Sequence, residues 1–130
     1  MDTSETYIKM RMAAQEDIPL RHFKGAASIF IVDNGVMLAS DGYYYLYYDS
    51  TNEEAYGDLP TQDQLQEMVM NFEIYPPFLQ LQRWHDWAFE YSLKYWYKFT
   101  SMEQLWLAFV MKEKHNKVWN SEEWIEKVSE

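Results

Sequence analysis

Two turn-forming dipeptides, Asn34-Gly35 and Asp41-Gly42, interrupt a run of β-branched and aromatic residues and constrain this chain more than anything else in it. Both accept the positive φ of type I′ turns, whose twist matches that of two paired strands. The flanking segments are Ser28 to Asp33, Val36 to Ser40 and Tyr43 to Tyr48. They predict a three-stranded antiparallel meander whose two-residue turns set the register. Asp33 then faces Val36, and Ser40 faces Tyr43. One sheet face would carry Phe30, Val32, Met37, Ala39, Tyr44, Leu46 and Tyr48, an apolar set suited to a core. The other would carry Tyr43, Tyr45 and Tyr47 among mixed neighbours such as Val36 and Leu38, and would need a covering helix or a partner.

Glycine and tryptophan divide the rest. All four Gly precede Asp58, no Gly or Pro follows Pro77, and all six Trp fall between Trp84 and Trp124. The C-terminal half is therefore expected to be all helical. Ser4 is placed to cap a first helix, about Glu5 to Glu16, with Tyr7, Met10 and Ala14 on one stripe. Asp49 to Asp58 reads as an acidic loop with a short fourth strand near Ala55-Tyr56. Thr61 and Gln64 form a capping box ahead of the stripe Leu65, Met68, Val69 and Phe72. A long helix is predicted from Pro77 to Tyr97. Its stripe is Leu81, Trp84, Ala88, Tyr91 and Tyr95, widened by Phe89, with Arg83 and Trp87 opposite. Thr100 or Ser101 caps the next helix, with Glu103 or Gln104 closing the box and Met102, Leu105, Trp106, Phe109 and Val110 on its apolar face. A short last helix starts at Asn120 or Ser121 and holds Trp124, Ile125 and Val128. The fold class is α+β, a small antiparallel meander packed with four to five helices in a single domain, 1–130.

There is no cysteine, so disulfides, thiolate catalysis and cysteine-based zinc sites are excluded, in keeping with a reducing cytoplasm. The opening Met1-Asp2-Thr3-Ser4-Glu5 has neither the basic nor the apolar region of a secretion signal. No run approaches the roughly 20 apolar residues of a membrane span. No phosphate loop, nucleophile elbow or paired-histidine zinc motif is present. His22, His85 and His115 are isolated from one another in sequence. The loop beginning Asp49-Ser50-Thr51 fails the calcium pattern, with Glu54 where glycine is required and Pro60 where a glutamate is required. Neither an enzyme nor a cofactor or metal site is expected.

Two longer stretches are familiar. Leu59-Pro60-Thr61-Gln62-Asp63-Gln64-Leu65-Gln66-Glu67-Met68-Val69 is one, and Phe99-Thr100-Ser101-Met102-Glu103-Gln104-Leu105-Trp106-Leu107-Ala108-Phe109-Val110-Met111-Lys112-Glu113-Lys114 is the other. With Glu5-Thr6-Tyr7-Ile8-Lys9-Met10, they resemble a set of small uncharacterised acidic proteins of bacteriophages and prophages. No activity is attached to that family. The resemblance implies a setting, the cytoplasm of a bacterial host.

The charge pattern suggests a partner. The net charge is −10, and from Lys24 to Arg83 nine acids occur with no Lys, Arg or His between. Tyr43, Tyr45 and Tyr47 adjoin Asp49, Glu53, Glu54 and Asp58, as an aromatic centre with an acidic rim for a basic protein would. The expected function is a non-enzymatic protein-binding accessory or regulatory module. The alternative is an acidic decoy that mimics nucleic acid. Direct binding to DNA or RNA is not expected, because no basic cluster offsets repulsion of the phosphates. A salt-sensitive gel shift at micromolar protein and physiological salt would contradict this.

Overall fold

A single arginine interrupts the apolar stripe of the first helix, and its burial ties the N-terminal part of the fold together. The computed structural model describes residues 1–24, 30–33, 35–49, 54–69, 76–95 and 99–126. The chain divides into two compact units, Met1–Thr61 and Gln62–Glu130.

In the first unit, α1 (Glu5–Ala13) begins as predicted, with Ser4 Oγ accepting from the Tyr7 N–H at 3.2 Å. It ends sooner than predicted, at Ala13, and turns through Ala14 to Asp17. Tyr7, Met10 and Ala14 are buried, and so is Arg11 between them. Arg11 Nη2 donates to Asp58 Oδ1 at 2.8 Å, and Nε donates to the Asp58 carbonyl at 3.0 Å. Nη1 donates to the Ile18 carbonyl at 2.8 Å, and Nη2 donates also to the Pro19 carbonyl at 3.2 Å. The Arg21 N–H also donates to Asp58 Oδ1, at 2.7 Å. Tyr7 adds a bond from its hydroxyl to the Pro60 carbonyl at 2.7 Å. One guanidinium thus joins the helix, the segment after it and a distant strand.

That strand belongs to a five-stranded antiparallel sheet. β1 (His22–Lys24), β2 (Phe30–Asp33), β3 (Val36–Leu38), β4 (Tyr44–Asp49) and β5 (Glu54–Leu59) are ordered β1-β5-β4-β3-β2. The predicted meander is β2-β3-β4. The fourth strand extends over the whole of Glu54–Leu59, and β1, which pairs with β5, was not foreseen. Asp33 faces Val36 as expected, with Gly35 at φ 78°, but a bulge between Ile31 and Asp33 shifts the rest of the pair, so that Ile31 rather than Val32 lies opposite Met37; Asn34 lies outside the described residues.

The second turn differs by one residue. Ala39, not Ser40, faces Tyr43: its N–H donates to the Tyr43 carbonyl at 3.0 Å, and Met37 lies opposite Tyr45. The loop is the three-residue Ser40-Asp41-Gly42, with Gly42 at φ 86° and its N–H donating to the Ala39 carbonyl at 3.1 Å. Three-residue loops of this kind end on a left-handed glycine. The cause is Asp41, whose Oδ1 accepts the Tyr43 N–H at 2.9 Å and so takes the donor that a two-residue loop would use. The shift re-sorts the side chains. Buried here are Val36, Ala39, Tyr45, Ala55 and Leu59, whereas Met37, Leu38, Tyr44 and Leu46 are half-buried.

In the second unit, α2 (Gln62–Val69) follows Thr61 and buries Leu65 fully; Phe72 lies outside the described residues. α3 (Pro77–Tyr95) and α4 (Met102–His115) pack through rings. Trp84 and Trp106 stack at 4.6 Å with planes 4° apart, and Trp87 lies 5.1 Å from Phe109. Trp87 is therefore half-buried rather than on a polar face, while Leu81 and Phe89, predicted for the core, are exposed. Trp106 and Phe109 sit three residues apart on α4, and their rings draw the contact face of α3 round to Trp84, Trp87 and Ala88. Arg83 and Glu113 flank it with an ion pair at 2.8 Å. Ser101 caps α4 through its Oγ, and Gln104 returns a bond to the Thr100 N–H at 3.1 Å.

The predicted last helix is instead a hairpin of β6 (Lys117–Trp119) and β7 (Trp124–Glu126). The C-terminal half is thus not all helical. Asn120 Oδ1 does accept from the N–H groups of Glu122 and Glu123, as a helix cap would. The chain reverses there because Asn120 N–H also bonds the Glu123 carbonyl at 3.1 Å, and Trp119 and Trp124 then pair across the strands at 5.0 Å, both buried.

Replacing Arg11 with Ala leaves the Asp58 carboxylate buried without its charge partner and should cost about 3–5 kcal/mol in urea unfolding. The double variant Arg11→Ala, Asp58→Ala should lose less than the two single losses added together. Strict additivity would show that the pair does not act as a unit.

Candidate functional site

Seven residues were predicted for a partner surface, and the structure separates them. Asp58 is 4% exposed and is held by Arg11 and the Arg21 N–H, so it contributes no exposed carboxylate to a rim. Tyr45 is fully buried in a cluster with Ala39 and Ala55, against which Phe23 and Tyr43 pack. Its placement follows from the one-residue shift at Asp41-Gly42, which sets it opposite Met37. Glu53 lies outside the described residues.

Tyr43 and Tyr45 belong to a polar clasp around Asp41. The Tyr45 hydroxyl donates to Asp41 Oδ2 at 2.6 Å, and the Arg21 guanidinium lies over the Tyr43 ring at 3.9 Å. Arg21 Nε is also 3.9 Å from Asp41 Oδ2. Burial pushes the Tyr45 phenol well above its usual range, the Asp41 bond and charge push the same way, and Arg21 partly opposes them. A phenol held neutral while donating to a carboxylate locks a turn. It is not poised to exchange a proton near neutral pH.

Tyr47, Asp49 and Glu54 do come together, with residues that sequence reasoning missed. β1, β5 and β4 are neighbours, so His22, Tyr56 and Tyr47 form one cross-strand row. The next row on the same face is Lys24, Glu54 and Asp49, two residues along each strand. Tyr47 and Tyr56 are 44% and 40% exposed, and their rings stack at 5.2 Å with planes 30° apart. His22 lies 5.9 Å from Tyr56. Lys24 Nζ is 3.5 Å from Glu54 Oε1, with both side chains open to solvent.

Gly57 allows this arrangement. Its φ is +77°, and a Cβ there would stand 3.1 Å from Tyr47 Cδ2. A side chain would be strained by the backbone and would press on the ring. An isolated glycine inside the strand Glu-Ala-Tyr-Gly-Asp-Leu was the available sign, since such a residue marks a close approach.

The histidines are dispersed. His85 is exposed on α3 beside Asp86 and Phe89, and His115 ends α4. Among the described residues no three His, Asp or Glu side chains gather in a metal-holding group, and no helix is long and apolar enough to cross a membrane. Compared with known proteins, the chain matches no family model, no curated protein and no solved structure.

The raised Tyr45 phenol carries a pH dependence. Its contribution to stability is fully present below the unfolded value of about 10 and is lost as pH rises from there toward the higher folded value. Wild-type protein should therefore lose stability between about pH 9 and pH 11 more steeply than Tyr45→Phe in urea unfolding. Equal slopes would show that Tyr45 ionises alike in both states.

Proposed function

We propose that this chain is a non-enzymatic accessory or regulatory module that docks a protein partner through the open sheet face bearing Tyr47 and Tyr56. The observation that carries the reading is the stacked, solvent-exposed tyrosine pair. Tyrosine is enriched at protein interfaces because its ring is apolar and its tip polar, and it loses little conformational freedom when held. Asp49 and Glu54 beside the pair favour a basic partner, as does the net charge. The likeness to small phage and prophage proteins in the segments from Leu59 and from Phe99 suggests the setting, a bacterial cytoplasm.

The acidic decoy has less support. A decoy needs carboxylates spaced along a solvent-facing ridge, whereas Asp58 and Asp41 are engaged inside the first unit and Glu54 faces Lys24.

Capture from a bacterial lysate, read by mass spectrometry, tests the docking reading. Tyr56→Ala should lower partner recovery roughly tenfold with little change in thermal midpoint. Glu54→Lys should mainly slow association, since rim charges act on the encounter rate. Recovery of the same proteins by wild type and both variants would remove the reading.

A further inference from the structure

The two rows across β1, β5 and β4 present two chemistries side by side. One is a pair of ring faces, Tyr47 and Tyr56, extended by His22. The other is a pair of carboxylates, Glu54 and Asp49, with the ammonium of Lys24 beside Glu54. We infer that this face receives an arginine-bearing segment of the partner, with the guanidinium laid on the Tyr47–Tyr56 rings and its N–H groups directed to Glu54 and Asp49. The inference rests on the docking reading and names the partner's chemistry.

Three considerations select arginine. A guanidinium is planar and weakly hydrated, so it can lie flat on a ring and still donate sideways to a carboxylate, whereas a compact lysine ammonium is more strongly hydrated and has no flat face to stack. The first unit builds the same arrangement internally. Arg21 lies over Tyr43 at 3.9 Å with the Asp41 carboxylate 3.9 Å from its Nε, so an arginine, a tyrosine ring and an aspartate already form one assembly on this sheet. The exposed rows repeat the ring and the carboxylates. Charge also favours a cation: Asp and Glu outnumber Lys and Arg in the chain, 21 to 11. A single-stranded nucleic acid could stack on the same tyrosines, but its phosphates would meet Asp49 and Glu54.

Lys24 adds a specific expectation. It neutralises Glu54 at 3.5 Å and must give way to the incoming guanidinium. Removing it should strengthen binding, whereas loss of a merely structural residue would not.

Fluorescence anisotropy on the full chain provides the test. The probes are a labelled peptide of alternating glycine and arginine, its lysine counterpart and a labelled oligothymidylate. The arginine peptide should bind at least about fivefold more tightly than the lysine peptide. Tyr47→Ala and Tyr56→Ala should each weaken it by roughly tenfold, and Lys24→Ala should tighten it by about twofold or more. Glu54→Gln keeps the ring pair and nearly the same shape, so it should weaken binding even if an alanine variant proves unstable. Equal binding of both peptides, indifference to Glu54→Gln, or oligothymidylate binding through Tyr47 and Tyr56 would each overturn the inference. The lysate partner separates the two levels. A partner lost with Tyr56→Ala but not displaced by the arginine peptide leaves docking standing and refutes arginine. A capture profile that neither tyrosine variant alters refutes both.

Discussion

The Arg11–Asp58 pair is the interaction on which the first unit depends. A buried guanidinium is tolerated only when its donors are met, and here the pairing to Asp58 is joined by bonds to three backbone carbonyls. Those acceptors come from the segment after α1 and from β5, so the charge cannot be satisfied until helix, turn and strand have all assembled. The rest of the sheet follows from the position of β5. It lies between β1 and β4, and those contacts bring His22 and Tyr47 to either side of Tyr56. An internal ion pair thus underlies an external row of rings, although the two share no side chain.

Local signals in the sequence were legible where one residue decides the outcome by itself. Ser4 and Ser101 cap helices because a hydroxyl at that position meets an unpaired N–H whatever the surroundings. Gly35 turns the chain because other residues resist its φ. The meander and the α+β class follow from such signals. The errors arise where a side chain had two uses. Asp41 was read as a turn-former and is one, but its carboxylate also caps Tyr43, which lengthens the loop and moves the register by one residue. Asn120 makes the bonds of a helix cap, and the strand-to-strand contact of Trp119 with Trp124 makes it a hairpin turn instead. Neither competition can be judged from spacing alone.

The candidate surface was half legible for a related reason. Tyr47, Asp49 and Glu54 were identified from their neighbourhood in sequence, and that sufficed because they flank one connection between adjacent strands. Tyr56 could have been paired with Tyr47 once a fourth strand was granted. His22 and Lys24 could not, since β1 reaches the sheet edge from far along the chain. Asp58 was misread because an exposed and a buried acid look alike in a list of charges. Arg11 held the missing information. It lies four residues after Tyr7 on the same stripe, and a lone cation in an apolar stripe calls for a buried anion somewhere else in the fold.

The stacked indoles of Trp84 and Trp106 also have a spectroscopic consequence. Two such chromophores held nearly parallel at 4.6 Å couple their excited states. Where the in-plane transition dipoles are turned relative to one another, the far-ultraviolet circular dichroism contains a couplet that belongs to tertiary contact, superimposed on the bands of the helices. Helix content read directly from that spectrum would be biased. The couplet itself is a built-in gauge of whether α3 and α4 are still in register, and it would vanish on their separation even while each helix kept its backbone hydrogen bonds.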